Sequence, residues 1–436
     1  MLISELYALY NRHPVITTDS RVCPYGSIFF ALKGDSFDGN AFAEKALQAG
    51  CAYAIIDNHD VALNMDKTTF DDDRLILVDD VLTTLQQLAC LHHKTLGIPV
   101  IAITGTNGKT TTKELTAAVL SKKYNTLFTQ GNLNNHIGVP LTLLRLTREH
   151  DVAVIEMGAN HPGEIYNLSN IARPDYGLIT NVGYAHLEGF GSFEGVIKTK
   201  GELYDFFREN GGIIFIHNDN EYLTKIARGL EWVAYGYDEN LFVSGKVSDN
   251  HPFLSFSWKH KNMQYNVTTQ LVGDYNLQNA LAAITIGTFF DISPEQINDA
   301  ISNYIPTNNR SQFKKTEHNE LIIDAYNANP SSMRAALENF AFSELSLPKA
   351  VILGDMRELG EKSAELHAEI LQLAEKSGFE KILLCGKVFS VANKNCICFP
   401  SVEELDKFLE TNPLRGYRVL IKGSHGEHLE KIIDRL

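Results

Sequence analysis

The sequence lacks the features that mark membrane, secreted and nucleic-acid-binding proteins. No segment approaches about 18 uncharged apolar residues, the length that a membrane-spanning helix needs. The first residues contain no basic cluster followed by a long apolar run, so a secretory signal is not expected. The net charge of −14 at pH 7 argues against a nucleic-acid surface, which requires a basic patch. We therefore expect a cytoplasmic protein with no nucleic-acid partner and no membrane insertion.

Cysteine is also scarce, and its spacing excludes the common metal and redox motifs. The chain has six cysteines, and none of them forms a C-x-x-C pair. Several lie in apolar, strand-like runs, which is typical of packing. We interpret Cys396 and Cys398 as strand packing rather than as a metal or redox pair.

The order of apolar runs and helical segments predicts an α/β protein with several domains. A length of 436 residues suggests two to four domains. We predict a small α/β unit over residues 1–82 and a larger one over 83–307. The larger unit is expected to have a parallel sheet with an antiparallel section at 232–272. Residues 308–436 predict a doubly wound domain that ends in a helix at 426–435.

Residues 100–112 predict a phosphate-binding loop. A β-branched run enters Gly-Thr-Asn-Gly, and Lys109, Thr110 and Thr111 then begin a helical segment. Backbone N–H groups and a helix N-terminus suit a triphosphate, the lysine adds a point charge, and a threonine hydroxyl binds Mg²⁺. The general pattern G-x-x-x-x-G-K-[ST] needs glycine where this chain has Ile103. The alternative is a chance Gly-Lys-Thr on a surface turn.

Polar residues also follow the next two predicted strands. Glu156 ends the apolar run at 152–155, and a carboxylate in that position suits a metal ion in an open α/β sheet. The alternative is an ordinary charge at the end of a strand. His186 follows the predicted strand at 176–182 and is either a second metal ligand or an unrelated imidazole.

Many longer stretches resemble the Mur ligase family. They are DSR (19–21), FFALKGDSFDG (29–39), GTNGKTTTKEL (105–115), GNLNNHIGVPLTLLRL (131–146), EMGANHPGEI (156–165), NVGYAHLEGFGS (181–192), IKTKGELY (197–204), GDYNLQNALAA (273–283), DAYNANPSSMRAAL (324–337), LGDMRELG (353–360) and IKGS (421–424). Together they span most of the chain. The forms DAYNANP and LGDMRELG resemble the branch of the family that adds D-alanyl-D-alanine.

The resemblance implies a fold and a reaction. It implies a small N-terminal α/β domain that holds the UDP end of a sugar nucleotide, a central P-loop ATPase-like domain, and a C-terminal Rossmann-like domain for the incoming amine. The cofactors would be ATP and Mg²⁺, and the partners UDP-N-acetylmuramoyl-tripeptide and D-alanyl-D-alanine. The tripeptide carboxylate would attack the γ-phosphate, and the amine would then attack the acyl phosphate. We expect a monomer.

The resemblance also implies roles for individual residues. The catalytic residues would be Lys109, Lys200, His186 and Arg310, and the metal would be held by Thr110, Glu156, His186 and a carbamate on Lys200. The nucleotide would contact Gly105, Thr106, Asn107, Gly108, Lys109, Thr110, Thr111, Asn276, Asn279, Arg310 and Asp324. The other substrates would contact Ser20, Arg21, Asn134, Asn135, Tyr326, Asn327, Asn329, Lys422 and Ser424.

Each of these residues also has a simpler interpretation. Spacing alone suggests that Lys200 is a solvated cation on a helix face and that Arg310 is a charge in a linker. Asn276 suits a helix cap. The turn at Asn329 could equally cap the helix that follows or help that helix N-terminus to receive the carboxylate of D-alanyl-D-alanine.

Two departures from the family pattern and two rival functions stay open. Arg310 follows Asn309 where the family has glycine, and Lys-Gly-Ser is followed by His425 where the family has arginine. The rival enzyme is another ATP-dependent amide ligase, such as folylpolyglutamate synthase or a different Mur ligase. The rival from another class is a non-catalytic nucleotide-binding switch. The third residue of the tripeptide, diaminopimelate or lysine, is not specified.

Overall fold

The computed structural model describes residues 1–34, 36–64, 72–249, 252–307, 309–342, 347–392 and 396–436. Asn308, in the predicted linker, lies outside the described residues. No described helix is long and apolar enough to cross a membrane.

Strands and helices alternate along most of the described chain. The strands are β1 (Ile16–Thr17), β2 (Ile28–Phe30), β3 (Lys33–Gly34), β4 (Phe37–Asp38), β5 (Tyr53–Ile56), β6 (Leu75–Leu77), β7 (Val100–Thr104), β8 (Thr126–Phe128), β9 (Val152–Glu156), β10 (Tyr176–Ile179), β11 (Ile213–His217), β12 (Glu231–Gly236), β13 (Val243–Asp249), β14 (Ser255–His260), β15 (Met263–Thr268), β16 (Gln312–Lys315), β17 (Glu320–Asp324), β18 (Lys349–Gly354), β19 (Lys381–Cys385), β20 (Ile397–Phe399) and β21 (Arg418–Lys422).

The α-helices follow the same order. They are α1 (Ile3–Arg12), α2 (Ala43–Gln48), α3 (His59–Asn64), α4 (Val81–Leu96), α5 (Lys109–Leu120), α6 (Gly138–Leu143), α7 (Glu164–Ala172), α8 (Leu187–Phe190), α9 (Phe193–Asn210), α10 (Glu221–Ile226), α11 (Asn276–Phe289), α12 (Pro294–Asn303), α13 (Pro330–Phe342), α14 (Ser363–Lys376), α15 (Lys387–Ala392) and α16 (Val402–Thr411). Short 3₁₀ helices lie at Gly39–Phe42, Asp72–Arg74, Gly360–Lys362, His425–Glu427 and Leu429–Arg435.

The chain divides into two compact units. The first comprises residues 1–102, 125–158 and 166–175, and the second comprises 103–124, 159–165 and 176–436. In the first unit, β1, β2, β5 and β6 form a parallel sheet in that order, and β8 pairs in parallel with β9. Helix α4 begins at the Asp80 cap, whose carboxylate accepts from Thr83 N–H, and ends at Gly97 in the left-handed conformation.

The second unit contains the mixed sheet that the sequence predicts. β10, β11, β12 and β13 pair in parallel, whereas β13, β14 and β15 are antiparallel. The prediction of an antiparallel section at 232–272 is therefore wrong for β12, which pairs in parallel with both neighbours. A β-rich composition identifies strands but does not give their direction.

The C-terminal sheet also belongs to the second unit. Its order is β16-β17-β21-β18-β19-β20, with only β16 antiparallel to its neighbour among the described strands. Alternate residues face opposite sides: Val351 packs in a core with α13 and α14, and Ile352 in a second core with α16. Helices on both faces confirm the doubly wound prediction.

The predicted helix at 426–435 is not an α-helix. The structure has two 3₁₀ segments there, His425–Glu427 and Leu429–Arg435. His428, between them, has a left-handed backbone with φ of 54°, which a continuous α-helix does not accommodate.

Candidate active site

The phosphate loop requires glycine at two positions where the backbone turns. Gly105 has φ of 139°, and a Cβ there would lie 2.0 Å from Thr180 Oγ1. Gly108 has φ of 78°, and a Cβ there would lie 2.3 Å from Asn279 Oδ1. Ile103 is fully buried in β7, so the turn starts two residues later than in the longer general pattern. The chance-turn alternative does not explain this arrangement of strand, crowded loop and helix.

Residues after β10 hold the loop in shape. Asn181 O accepts from Thr106 N–H at 3.0 Å, and Asn181 Oδ1 accepts from Asn107 N–H at 3.0 Å. Thr180 Oγ1 donates to Asn107 O at 2.6 Å. These two loop N–H groups therefore hold the turn in shape, and the N-terminus of α5 that follows is the part of the loop that favours an anion.

The loop lysine lies across its own turn. Lys109 Nζ donates to Gly105 O at 2.8 Å and to Thr106 O at 3.0 Å. Thr110 is buried in the first turn of α5, and Thr111 beside it is half-buried. The ammonium and the helix N-terminus thus lie at the same end of the loop, where an anion is favoured.

Lys200 is a buried amine, not a solvated cation. Its side chain in α9 is 1% exposed, and Nζ donates to Ala159 O at 3.3 Å. The Nζ atom also lies 5.0 Å from the centre of the Phe190 ring. Burial, and then the nearby cation of Lys109, lower the pKa of Lys200 to about 7. The spacing-based interpretation of Lys200 is therefore wrong, because periodicity alone could not show that this helix face is covered.

His186 lies beside the same phenylalanine and pairs with a residue that the sequence analysis did not single out. The His186 ring is 6.0 Å from the Phe190 ring at an interplanar angle of 81°. Its Nδ1 contacts Oε2 of Glu358, and this interaction lowers the pKa of the glutamate below its usual range. The position of Glu358 in LGDMRELG was the available signal.

Glu156 ends β9 in the first unit and is 1% exposed. Its Oε1 accepts from Asn134 Nδ2 at 2.8 Å, and its N–H donates to Thr129 Oγ1 at 2.9 Å. Asn135 Oδ1 accepts from the N–H groups of Ile137 and Gly138, so this oxygen supports the start of α6.

The UDP-side residues form a turn of their own. Exposed Arg21 forms a bidentate pair with Asp19, and that hydrogen bond lowers the pKa of Asp19 to about 2. Ser20 lies between them and is half-buried. The first unit contains five of the predicted site residues: Ser20, Arg21, Asn134, Asn135 and Glu156. The second unit contains the others.

A segment after β17 contacts the phosphate loop directly. Asn329 Nδ2 donates to Asn107 Oδ1 at 2.8 Å, while Asn329 Oδ1 accepts from Ser332 N–H at 2.9 Å. Close by, Tyr184 N–H donates to Ser331 Oγ at 2.9 Å. Asn329 thus caps α13 and also contacts the loop, which supports the capping interpretation, while reception of the D-alanyl-D-alanine carboxylate stays a prediction.

Arg310 precedes β16 and Asp324 ends β17, so both lie at the same edge of the C-terminal sheet, because these two strands are antiparallel. The Arg310 guanidinium lies 3.9 Å from the centre of the Tyr326 ring, and its buried Nε has no hydrogen-bond partner among the described residues. Asp324 Oδ2 accepts from buried Lys422 Nζ at 2.5 Å. Arg310 is therefore stacked in the structure and is not a free linker charge.

The remaining candidates have internal partners. Asn276 Nδ2 donates to Val272 O at 2.8 Å, and Asn279 Nδ2 donates to Asn276 Oδ1 at 2.9 Å. Asn327 is exposed, and its Oδ1 accepts from the N–H of the next residue. Ser424 Oγ is buried without a hydrogen-bond partner among the described residues, which leaves it available to a ligand.

The side chains that the family resemblance assigns to Mg²⁺ fit this cation only if Lys200 carries a carbamate. Within the described ranges, no group of three or more His, Cys, Asp or Glu side chains could hold a metal. Lys200 as an ammonium beside Lys109 would repel a divalent cation. A carbamate would reverse the charge at that position and supply hard oxygen ligands, which Mg²⁺ prefers.

Comparison with known proteins identifies the family. Residues 14–93 match the Mur ligase family catalytic domain, 103–287 the Mur ligase middle domain, and 309–425 the Mur ligase glutamate ligase domain. A UDP-N-acetylmuramoyl-tripeptide–D-alanyl-D-alanine ligase from Bacillus subtilis is 35% identical over 432 residues, which cover 97% of this chain and 92% of the relative. The chain belongs to the Mur ligase family.

Solved structures of Mur ligases share the fold. MurF from Acinetobacter baumannii has a TM-score of 0.86 and 30% identity, with 96% of this chain and 92% of that chain covered. MurF ligase from Thermotoga maritima in complex with ADP has a TM-score of 0.85 and 26% identity, with 97% and 96% covered. The predicted three-domain α/β Mur ligase fold is confirmed. The boundaries after residues 82 and 307, and the roles of single residues, stay predictions.

We expect Gly105→Ala to destabilise this Mur ligase. Gly105, with φ of 139°, lies in a backbone region that costs a residue with a side chain about 1–3 kcal/mol, and the contact with Thr180 would add about 1–3 kcal/mol more. Gly229→Ala is the matched control, because Gly229 has φ of 84° but nothing within 4 Å of a Cβ. The thermal unfolding midpoint should fall further for Gly105→Ala, and equal midpoints would contradict the crowding at Thr180.

Proposed function

We propose that the protein is an ATP-dependent amide ligase that adds D-alanyl-D-alanine to UDP-N-acetylmuramoyl-tripeptide in peptidoglycan precursor synthesis. The observation that carries the proposal is the hydrogen bond from Asn329, in the segment resembling the D-alanyl-D-alanine-adding branch, to Asn107 of the phosphate loop. It joins the segment expected to hold the amine to the loop expected to hold ATP. The names of the relatives support the same reaction.

The reaction brings two anions together, and the described cations suit that task. The tripeptide carboxylate attacks the γ-phosphate and releases ADP, and the free amine of D-alanyl-D-alanine attacks the resulting acyl phosphate and releases phosphate. Lys109 and the N-terminus of α5 hold the triphosphate, and Arg310 neutralises charge from the C-terminal side. Mg²⁺, when bound, would neutralise further phosphate charge.

The other residues take binding roles in this proposal. Asp324 binds the ATP ribose, and Asn276 and Asn279 lie on the adenine side. Asn329 and the start of α13 receive the carboxylate of D-alanyl-D-alanine, because a helix N-terminus favours an anion. The remaining nucleotide, metal and substrate roles are those implied by the family: the loop residues 105–111 with ATP, Thr110, Glu156 and His186 with the metal, Ser20 and Arg21 with UDP, and Asn134, Asn135, Tyr326, Asn327, Lys422 and Ser424 with the two substrates.

Lys200 is proposed to carry a carbamate. The neutral amine adds to the carbon of CO₂ and loses one proton, so a group that could be +1 becomes −1. A pKa of about 7 in place of 10.5 raises the neutral fraction at pH 7 by about a thousandfold. Burial and Lys109 together therefore prepare this one lysine for the addition.

We expect ¹³C-bicarbonate to give a carbamate NMR signal that depends on Lys200. The signal should be lost in Lys200→Met and kept in Lys198→Met, a matched control because Lys198 is exposed on the same helix. It should weaken as the pH falls through 7, because protonation of the amine removes the nucleophile. Persistence of the signal in Lys200→Met would sink the assignment.

Activity should follow the same residue. Lys200→Ala should lose most turnover and recover part of it with a short carboxylate such as formate, which can occupy the vacated space. Full activity of Lys200→Ala, unchanged by depletion of CO₂, would exclude a carbamate role.

The proposed reaction requires both substrates. ATP-dependent phosphate release should appear only when a UDP-linked muramoyl tripeptide and D-alanyl-D-alanine are both present. A panel with diaminopimelate and lysine tripeptides would define the third residue. Turnover with a folate and glutamate would instead favour the rival ligase, and nucleotide binding without any turnover would favour the non-catalytic switch.

Lys109→Ala should abolish ligation without unfolding the protein. Removal of one electrostatic group of this kind costs about a hundredfold to a thousandfold in kcat. Lys122→Ala is the control, since Lys122 is a surface residue that lies just after the C-terminal end of the same helix and pairs with Asp299 of α12. Near-normal turnover of a folded Lys109→Ala protein would show that the loop assignment is wrong.

A further inference from the structure

A carboxylate from the C-terminal sheet contacts the imidazole that the proposed function assigns to the metal. Glu358 lies in the loop after β18, and its Oε2 contacts Nδ1 of His186. Its backbone oxygen also accepts from Glu188 N–H at 3.3 Å. The loop therefore contacts the segment after β10 through both its side chain and its backbone.

The pair is held in an unusual backbone geometry. His186 has φ of 49° and Glu358 has φ of 60°, so both partners adopt the left-handed conformation, which costs a non-glycine residue about 1–2 kcal/mol. The side chains are 23% and 48% exposed, and ion pairs of that exposure contribute only about 0–1 kcal/mol. The contact does not offset the strain, so stability alone does not explain it.

The atoms in contact suggest what the pair does. The contact does not have hydrogen-bond geometry, since buried His186 Nδ1 has no hydrogen-bond partner among the described residues. Rotation of the imidazole would let Nδ1–H donate to this carboxylate, which fixes one tautomer and directs the Nε2 lone pair away from the carboxylate. Histidines that bind metals commonly use such a partner. We propose that Glu358 is a positioning residue that fixes the Nδ1–H tautomer of His186 and leaves Nε2 for the metal; this rests on the metal role of His186 in the proposed function.

The surroundings of the ring support this orientation. Phe190 contacts the His186 ring edge-on, and Lys200 Nζ lies 5.0 Å from the centre of the same phenylalanine ring. His186 therefore has Glu358 at Nδ1 and shares a neighbour with the proposed carbamate. Glu358 lies in a loop of the C-terminal sheet. Binding of a metal by His186 and contact of this loop with His186 should therefore strengthen each other.

The first test reads the tautomer without metal or substrate. In protein with ¹⁵N-labelled histidine at alkaline pH, His186 should be the Nδ1–H tautomer in the wild type. Glu358→Ala should shift it to Nε2–H, while Glu358→Gln, whose amide oxygen still accepts, should keep Nδ1–H. Glu361→Ala is the matched control, since it removes an exposed carboxylate from the same segment. An Nε2–H tautomer in the wild type, or no change in Glu358→Ala, overturns the proposal.

The second test reads metal affinity. With a non-hydrolysable ATP analogue present, Glu358→Ala should bind Mn²⁺ about 10–100-fold more weakly than wild type, and Glu361→Ala should bind it equally. Equal or tighter binding by Glu358→Ala would show that the carboxylate does not support the metal ligand. His186→Ala separates the two ideas: if it binds Mn²⁺ as the wild type does, the metal role in the proposed function is wrong, whatever the tautomer.

Discussion

A buried amine next to a second lysine is the constraint on which the rest of the site depends. Lys200 is almost fully buried, and its pKa falls to about 7 because burial and the Lys109 cation both disfavour a second positive charge. Burial disfavours an unpaired charge of either sign, whereas the Lys109 cation favours an anion beside it. Triphosphate, carboxylate and carbamate all supply negative charge there. Burial, and then the charge of the loop lysine, thus keep the neighbouring Lys200 amine from holding a proton as firmly as an exposed lysine does.

The contacts between the two sheets of the second unit converge on strand ends. The loops after β7 and β10 lie at the carboxyl ends of their strands, as do the loops after β17 and β18. Asn329, after β17, contacts Asn107, after β7. Glu358, after β18, contacts His186, after β10. Ligands of open α/β sheets bind at such ends. These contacts place residues from both sheets around the phosphate loop, which suits a reaction that needs ATP and an amine together.

Local patterns predicted much of the fold because their signals are local. The bounds of helix α4 can be read from the sequence, since Asp80 and Gly97 provide a start and an end. The edge strand β16 has two consecutive lysines and no alternation, so periodicity did not reveal it. The phosphate loop was predictable because its strand, its glycines and the start of its helix also lie within a few consecutive residues.

The site was predictable only in part. Burial of Lys200 depends on residues such as Phe190 that cover its helix face, and the partner of His186 lies 172 positions along the chain (358 − 186). Spacing along one helix or strand carries no information on such contacts. Resemblance to a family supplied the residues, whereas the structure supplied the contact of Glu358 with His186, the stacking of Arg310 and the lowered pKa of Lys200.

The two departures from the family pattern are explained by the conformation of the chain. Asn309 has φ of 51°, a left-handed conformation that glycine adopts freely and asparagine tolerates better than most residues. The turn can therefore be kept without glycine, and Arg310 still reaches the Tyr326 ring. His425 stacks on the same ring, with centroids 5.8 Å apart. Tyr326 thus contacts one guanidinium and one imidazole. An arginine in place of His425 would bring a second guanidinium to the ring that already holds Arg310.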